Sequence, residues 1–222
     1  MIYFFADDHY ETHAGRVIFE QLPPELHSRT TFTENEWSPL ESGRWVDDCE
    51  LLILHFIAGT CGQPMPGVGS EAALRHYLMS GGGVLLLHGS SAAFWHWEWW
   101  RRLVGLRWVR PNDPDGAEPS THPHAPCRVV PVRSASPLSA LLKPFDLVED
   151  EVYINLREES PVTVLMTTQV VGQTYPQCFE TRLESGSRLM SFLPGHRPEN
   201  TCNPMLAANV ATLVRDLLLP KP

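Results

Sequence analysis

The sequence predicts an α/β fold: a three-layer sandwich around a mostly parallel sheet, with some strands antiparallel. Three observations carry this. The first half repeats the order apolar strand, loop, helix. Its strands Ile2–Ala6, Leu51–Phe56 and Val84–Leu87 are continuous apolar runs, the pattern of parallel strands covered on both faces. In the second half, short turns separate some of the strand-like segments, a spacing that suits antiparallel neighbours.

Ile2–Ala6 opens the chain as a buried strand. The acidic, histidine-containing loop Asp7–His13 leads into a helical pattern with Val17, Ile18 and Leu22 on one face, stopped by Pro23 and Pro24. After the strand Leu51–Phe56, a Gly/Pro-rich loop, Ala58–Gly69, leads to the helix Ser70–Met79. A glycine turn then feeds Val84–Leu87, which ends abruptly in His88, Gly89 and Ser90, followed by Trp95, Trp97, Trp99 and Trp100. Arg110–Pro126, crowded with Pro, Asp, Gly and His, reads as a long surface excursion placed to cover a site. Cys127–Arg133, Val162–Thr168, Gln177–Leu183 and Leu189–Phe192 are further strands. Asn203–Leu219 closes the chain as an amphipathic helix, with Asn203 as its cap and Pro204 at its first position. No internal repeat divides the chain, so residues 1–222 are expected to form one domain.

The formal charge of −9 comes without any basic run, and such a surface repels phosphate backbones and anionic lipid, so neither nucleic acid nor membrane is an expected partner. The initial apolar run is too short for a signal-peptide core, and nothing approaches a membrane span. Five cysteines, at 49, 61, 127, 178 and 202, show no Cys-x-x-Cys pair, and their odd number suits reduced thiols. A cytoplasmic location is expected.

In an open α/β sheet, ligands bind beyond the carboxyl ends of the parallel strands, which makes His88 the first candidate. Pro194-Gly195-His196 repeats its logic after Leu189–Phe192, so two strand tips with histidine would face one crevice. His9, His13 and His122 also lie in loops or at element ends, where imidazoles can titrate near neutrality or ligate zinc. His9 and His13 are four apart, but Tyr10 breaks the HExxH pattern of metalloproteases. His122 and His124 flank Pro123 in an extended segment, where alternation puts them on the same side.

Ala93 breaks the G-x-S-x-G nucleophile elbow after Gly89, which leaves Ser90 and Ser91 as hydrogen-bonding or capping groups. No cysteine stands at this tip for an amidotransferase-type mechanism. Trp95 and Trp97 are candidate platforms for a sugar face, against the alternative that they anchor the core. Asp150 and Glu151, adjacent before Val152 and Tyr153, point to opposite faces, so one would reach a given pocket as acid, base or histidine orienter.

Taken in order, the loop Asp7–His13, the block GGGVLLLHGSSAAFW with Leu103-Val104-Gly105, His122, the segment Asp150-Glu151-Val152-Tyr153 and the final SGSRLMSFLPGH resemble the ThuA-like, trehalose-utilisation family. The resemblance spans nearly the whole chain. It implies a class I glutamine amidotransferase-like, flavodoxin-like fold and a role in disaccharide or glycoside catabolism, beside an NAD-dependent oxidoreductase that handles 3-keto sugars.

On this reading the protein acts on a small carbohydrate, a glycoside or its 3-keto derivative, as a lyase, isomerase or hydrolase. His88 or His196 is the base, and Asp150 or Glu151 orients it or protonates the leaving oxygen. His9, His13, Ser90, Trp95, Trp97, His122 and Tyr153 would bind substrate. These residues single out no cofactor, with a divalent metal such as zinc as the open alternative. Two alternatives stand beside this: a noncatalytic carbohydrate-binding or partner subunit, and a hydrolase dependent on a divalent metal such as zinc, using His9, His88, His122 or His196. A tryptophan-rich exposed face would suit a homo-oligomer interface.

Overall fold

A computed structural model describes residues 1–9, 11–59, 62–133 and 136–219; Tyr10 and Cys61 lie outside these ranges. The chain alternates strand and helix through its first half. β1 (Ile2–Ala6) is followed by α1 (Ala14–Glu20), the short α2 (Pro24–His27) and β2 (Thr30–Glu34). α3 (Ser38–Ser42) precedes β3 (Leu51–His55), and α4 (Val68–Met79) precedes β4 (Gly83–Leu87). A 3₁₀ turn, His88–Ala92, then leads to α5 (Glu98–Leu103). The second half is mostly strand: β5 (Leu106–Arg107), β6 (His124–Pro131), β7 (Phe145–Glu151), β8 (Arg157–Glu158), β9 (Val162–Val170), β10 (Gln173–Arg182) and β11 (Arg188–Phe192). The helices α6 (Pro198–Thr201) and α7 (Pro204–Leu217) follow.

Nine of the described strands form one sheet in the order β2-β1-β3-β4-β11-β10-β9-β6-β7, while β5 and β8 pair separately. Neighbours from β2 to β11 run parallel, and β10, β9, β6 and β7 continue antiparallel. β3 and β4 are buried along their entire length, as their uninterrupted apolar runs require. β2, with the sequence TTFTE, is an edge strand that is mostly half-buried. Its alternation of threonine and one phenylalanine lacks the apolar run that marks the central strands.

Two apolar layers cover the sheet. On one face Ile18, Leu22, Leu26 and the inner residues of α7, from Leu206 to Leu217, pack on β1, β3, β4 and β11. On the other face Leu40, Trp45, Leu74, Tyr77, Leu78 and Trp100 pack on Phe5, Leu52, Leu54, Val84 and Leu86. α7 starts where Asn203 accepts the N–H of Met205 at 2.9 Å and that of Leu206 at 3.4 Å, with Pro204 at its first position.

The excursion after β5 is tied down by charge. Arg107, 1% exposed, pairs with Asp113, with Asp115 at 2.8 Å and with Glu159 at 2.5 Å. Thr121 bridges Ile154, and the Val152 N–H donates to the Pro123 carbonyl at 3.0 Å. The excursion therefore ends as an added rung beside β7, and the strand it feeds begins at His124 instead of Cys127.

Candidate functional site

Parallel strands carry their tips to a common edge, and here three tips end in or lead to histidine. The register pairs Ala6 with His55 and Phe192 with Leu87, so the residues just beyond β1, β3, β4 and β11 lie side by side. His88 leaves β4 in the left-handed region, at φ 48°, a conformation that costs a β-carbon-bearing residue about 1 kcal/mol. Gly89 follows because space demands it: a β-carbon there would stand 2.8 Å from Ile57 Cγ2.

The His88 ring is buried at 2% exposure. Its Nδ1 lies 3.0 Å from the Leu193 carbonyl oxygen, an acceptor only, so Nδ1 carries the proton and Nε2 presents its lone pair. That lone pair faces His196 Nδ1 at 3.2 Å, the Tyr153 hydroxyl at 3.4 Å and Glu151 Oε2 at 3.6 Å. Burial holds both imidazoles well below their ordinary value, at about 4 for His88, and at about 4 for His196, where the neighbouring His88 adds to the effect. Both rings are thus neutral near pH 7. With His88 accepting at Nε2, His196 donates from Nδ1, which leaves its own Nε2 unprotonated.

The two adjacent carboxylates divide their work as strand alternation requires. Asp150 accepts the N–H of Gly195 at 2.7 Å and that of His196 at 2.9 Å, and so fixes the loop that carries the second histidine. Burial raises its pKa while those two N–H groups pull it down. Glu151 meets the rings themselves: its Oε1 lies 3.0 Å from His122 Nδ1, 3.6 Å from His124 Nε2 and 3.6 Å from His196 Nδ1. Burial raises this carboxyl to about 7.

Of the residues singled out from sequence, His88, His196, Asp150, Glu151, His122 and Tyr153 come together. Among the contacts of the described residues, the others have different partners. Ser90 is a structural clasp: its hydroxyl lies 2.8 Å from both the Leu54 and Leu87 carbonyls and accepts the Phe56 N–H at 3.0 Å. Trp97 is buried, stacked on Phe94 with centroids 4.2 Å apart, and offers no open face to a sugar. Trp95 lies beneath the Arg110 guanidinium, 5.5 Å from the ring centroid, and against His96 with centroids 4.4 Å apart. His13 pairs with Glu34 at 3.1 Å and with Asp8 at 3.2 Å on the outer side of the β1 loop. His9 reaches Gln63 at 3.3 Å.

Three contributors were not read from the sequence. Trp108 is the aromatic wall actually present, 5.0 Å from the Tyr153 ring and 5.4 Å from that of His122. His55 ends β3 with both ring nitrogens unpartnered among the described residues. It lines a small cavity with Asp7, Thr12, Ile57 and His88. Asp7, which accepts the Ile57 N–H at 2.8 Å, is raised by burial to about 6. An apolar run conceals a histidine at its last position, and nothing in the sequence around Trp108 sets it apart from the other tryptophans.

The family model described as ThuA, trehalose utilisation, matches residues 4–212. Among solved structures, a ThuA-like protein from Bacteroides uniformis superposes with a TM-score of 0.71 at 14% identity, covering 98% of this chain and 91% of its own. A ThuA-like protein from Parabacteroides merdae gives 0.68 at 15% identity, covering 95% and 87%. A cytoplasmic protein from Salmonella typhimurium gives 0.58 at 10%, covering 90% and 85%. No curated protein sequence matches this chain. At these identities the solved structures establish the shared architecture. No helix among the described residues is long and apolar enough to cross a membrane.

Proposed function

The chain belongs to the ThuA family of trehalose utilisation, and on that premise we propose that it is an enzyme acting on a glycoside or its 3-keto derivative, with His196 as base. The observation that carries this reading is the run of close contacts from the Leu193 carbonyl to His88 Nδ1, at 3.0 Å, and from His88 Nε2 to His196 Nδ1, at 3.2 Å. It orients an unprotonated nitrogen on the more exposed of the two rings, whose side chain is 16% exposed against 2% for His88.

A ketone at C3 acidifies the C–H bond at C2. His196 takes that proton, the C–H electron pair forms the enolate, and the developing imidazolium lies beside the Glu151 carboxylate. Collapse of the enolate expels the aglycone oxygen from C1, which leaves with a proton from solvent. His88 is a positioning residue that holds the His196 tautomer, and Asp150 positions the same ring through its backbone. Trp108 and Tyr153 supply the aromatic wall on which a sugar face would rest.

The test is an NMR assay in heavy water with glucosides oxidised at C3, following deuterium entry at C2 and loss of the aglycone. The wild-type protein is expected to exchange or cleave, and His196→Ala to lose at least about 100-fold of that rate. Saturable binding without exchange in the wild-type protein would instead indicate a carbohydrate-binding module.

A further inference from the structure

We propose that His122, His124 and Glu151 form a binding site for a divalent transition-metal ion of the zinc class, at the mouth of the histidine cluster. The proposal stands on the backbone geometry of this corner and not on the base assigned to His196. His122 and His124 are separated by one residue in extended chain, so both rings project to one side. The ladder between β6 and β7 sets His124 directly opposite Glu151. The Thr121–Ile154 bridge and the Val152 N–H bond to Pro123 extend that pairing past His122. Both histidines thus face one carboxylate by register.

His122 Nδ1, His124 Nε2 and a Glu151 oxygen all lie within 4.8 Å of one another. Ligand atoms around one tetrahedral ion at bond lengths of about 2.0–2.2 Å stand roughly 3.4 Å apart. The nitrogens lie 3.0 and 3.6 Å from Glu151 Oε1, so small rotations of the rings suffice. Two imidazoles and one carboxylate leave a coordination position open, as catalytic zinc sites do, and imidazole donors favour zinc, cobalt or nickel over calcium or magnesium.

The surroundings suit an ion better than a network of side chains alone. The Glu151 side chain is 7% exposed, and its ion-pair partners among the described residues are all histidines. A single oxygen therefore faces three imidazole nitrogens, from His122, His124 and His196, with no guanidinium or ammonium group among the described residues to balance it. A dication accepts the lone pairs of neutral imidazoles and offsets the carboxylate charge at once. The side chains of His122 and His124 are 46% and 37% exposed, which gives an ion access from solvent.

Untagged, chelator-stripped protein titrated with Co²⁺ alone, followed by visible absorption and calorimetry, should bind one ion per chain and release it to Zn²⁺. The double variant His122→Ala/His124→Ala and the variant Glu151→Gln should each weaken binding at least about 100-fold. Thermal unfolding without metal checks that the double variant is folded. His196→Ala should keep the ion while losing deuterium exchange, which separates failure of this site from failure of the base assignment. Absence of Co²⁺ binding in the wild-type protein, or unchanged affinity in the folded double variant, overturns the proposal.

Discussion

A neutral imidazole acts as a base through one nitrogen only when the other holds the proton, and in this protein a main-chain carbonyl settles which is which. The Leu193 oxygen takes the Nδ1 proton of His88, and the consequence passes across 3.2 Å to His196. Both histidines were legible in the sequence as strand-tip residues, but their order was not. Only burial distinguishes the ring behind from the ring in front. His55 was not legible at all, because five apolar or unremarkable neighbours hide it at the end of β3. It has a measurable signature. Burial lowers its pKa from the ordinary 6.5 to about 3, with the rings of His88 and His196 adding repulsion and Asp7 facing the same cavity. The native protein therefore refuses a proton that the unfolded chain accepts, so this stability is present above pH 6.5 and is lost as pH falls toward 3. Asp7, raised by burial to about 6, acts in the opposite sense, as its folded form gains a proton first. Between pH 7 and pH 5 His55 alone accounts for about 2 kcal/mol of lost stability. His55→Leu should remove that part of the acid limb in urea unfolding at the two pH values; equal losses in variant and wild type would refute it.

Elements differ in how plainly they announce themselves. β1, β3 and β4 are readable as unbroken apolar runs, and α7 by its Asn-Pro start. β2 is not, since the short edge strand TTFTE lacks the continuous apolar run that marks the buried strands. The tryptophan segment was legible as a feature but ambiguous in role. The α5 turn directs Trp100 into the core, and Trp97 packs there too, leaving Trp108 to line the site. The excursion after β5 was expected to lie near the site, and the Arg107 cluster explains how it is held there. Arg107→Met would leave Asp113, whose side chain is 2% exposed, without its cation, while Glu159 would keep only Arg157 at 3.3 Å and Arg102 at 3.9 Å. The expected cost is about 3–5 kcal/mol in unfolding free energy, accompanied by faster amide exchange in residues 108–123. A loss below about 1 kcal/mol with unchanged exchange would show that other contacts hold the loop.

At the scale of the whole molecule, the fold follows from a switch in sheet chemistry. Doubly covered parallel strands form one half, and the strand-rich second half extends it antiparallel from β11. The candidate site lies at the join, where the tips of β4 and β11 meet the β6–β7 corner. That convergence was expected only for the two strand tips. The contribution of His124 depends on a register, His124 opposite Glu151, that no local pattern in the sequence specifies. The base chemistry proposed for His196 rests on the tautomer chain across this join. Long-range ¹H–¹⁵N correlation spectra of histidine-labelled protein at pH 7 test it most directly. The prediction is two neutral rings, His88 and His196, each protonated at Nδ1 and unprotonated at Nε2. A protonated imidazolium at either position, or a proton on Nε2 of His196, would contradict the assignment of His196 as the base.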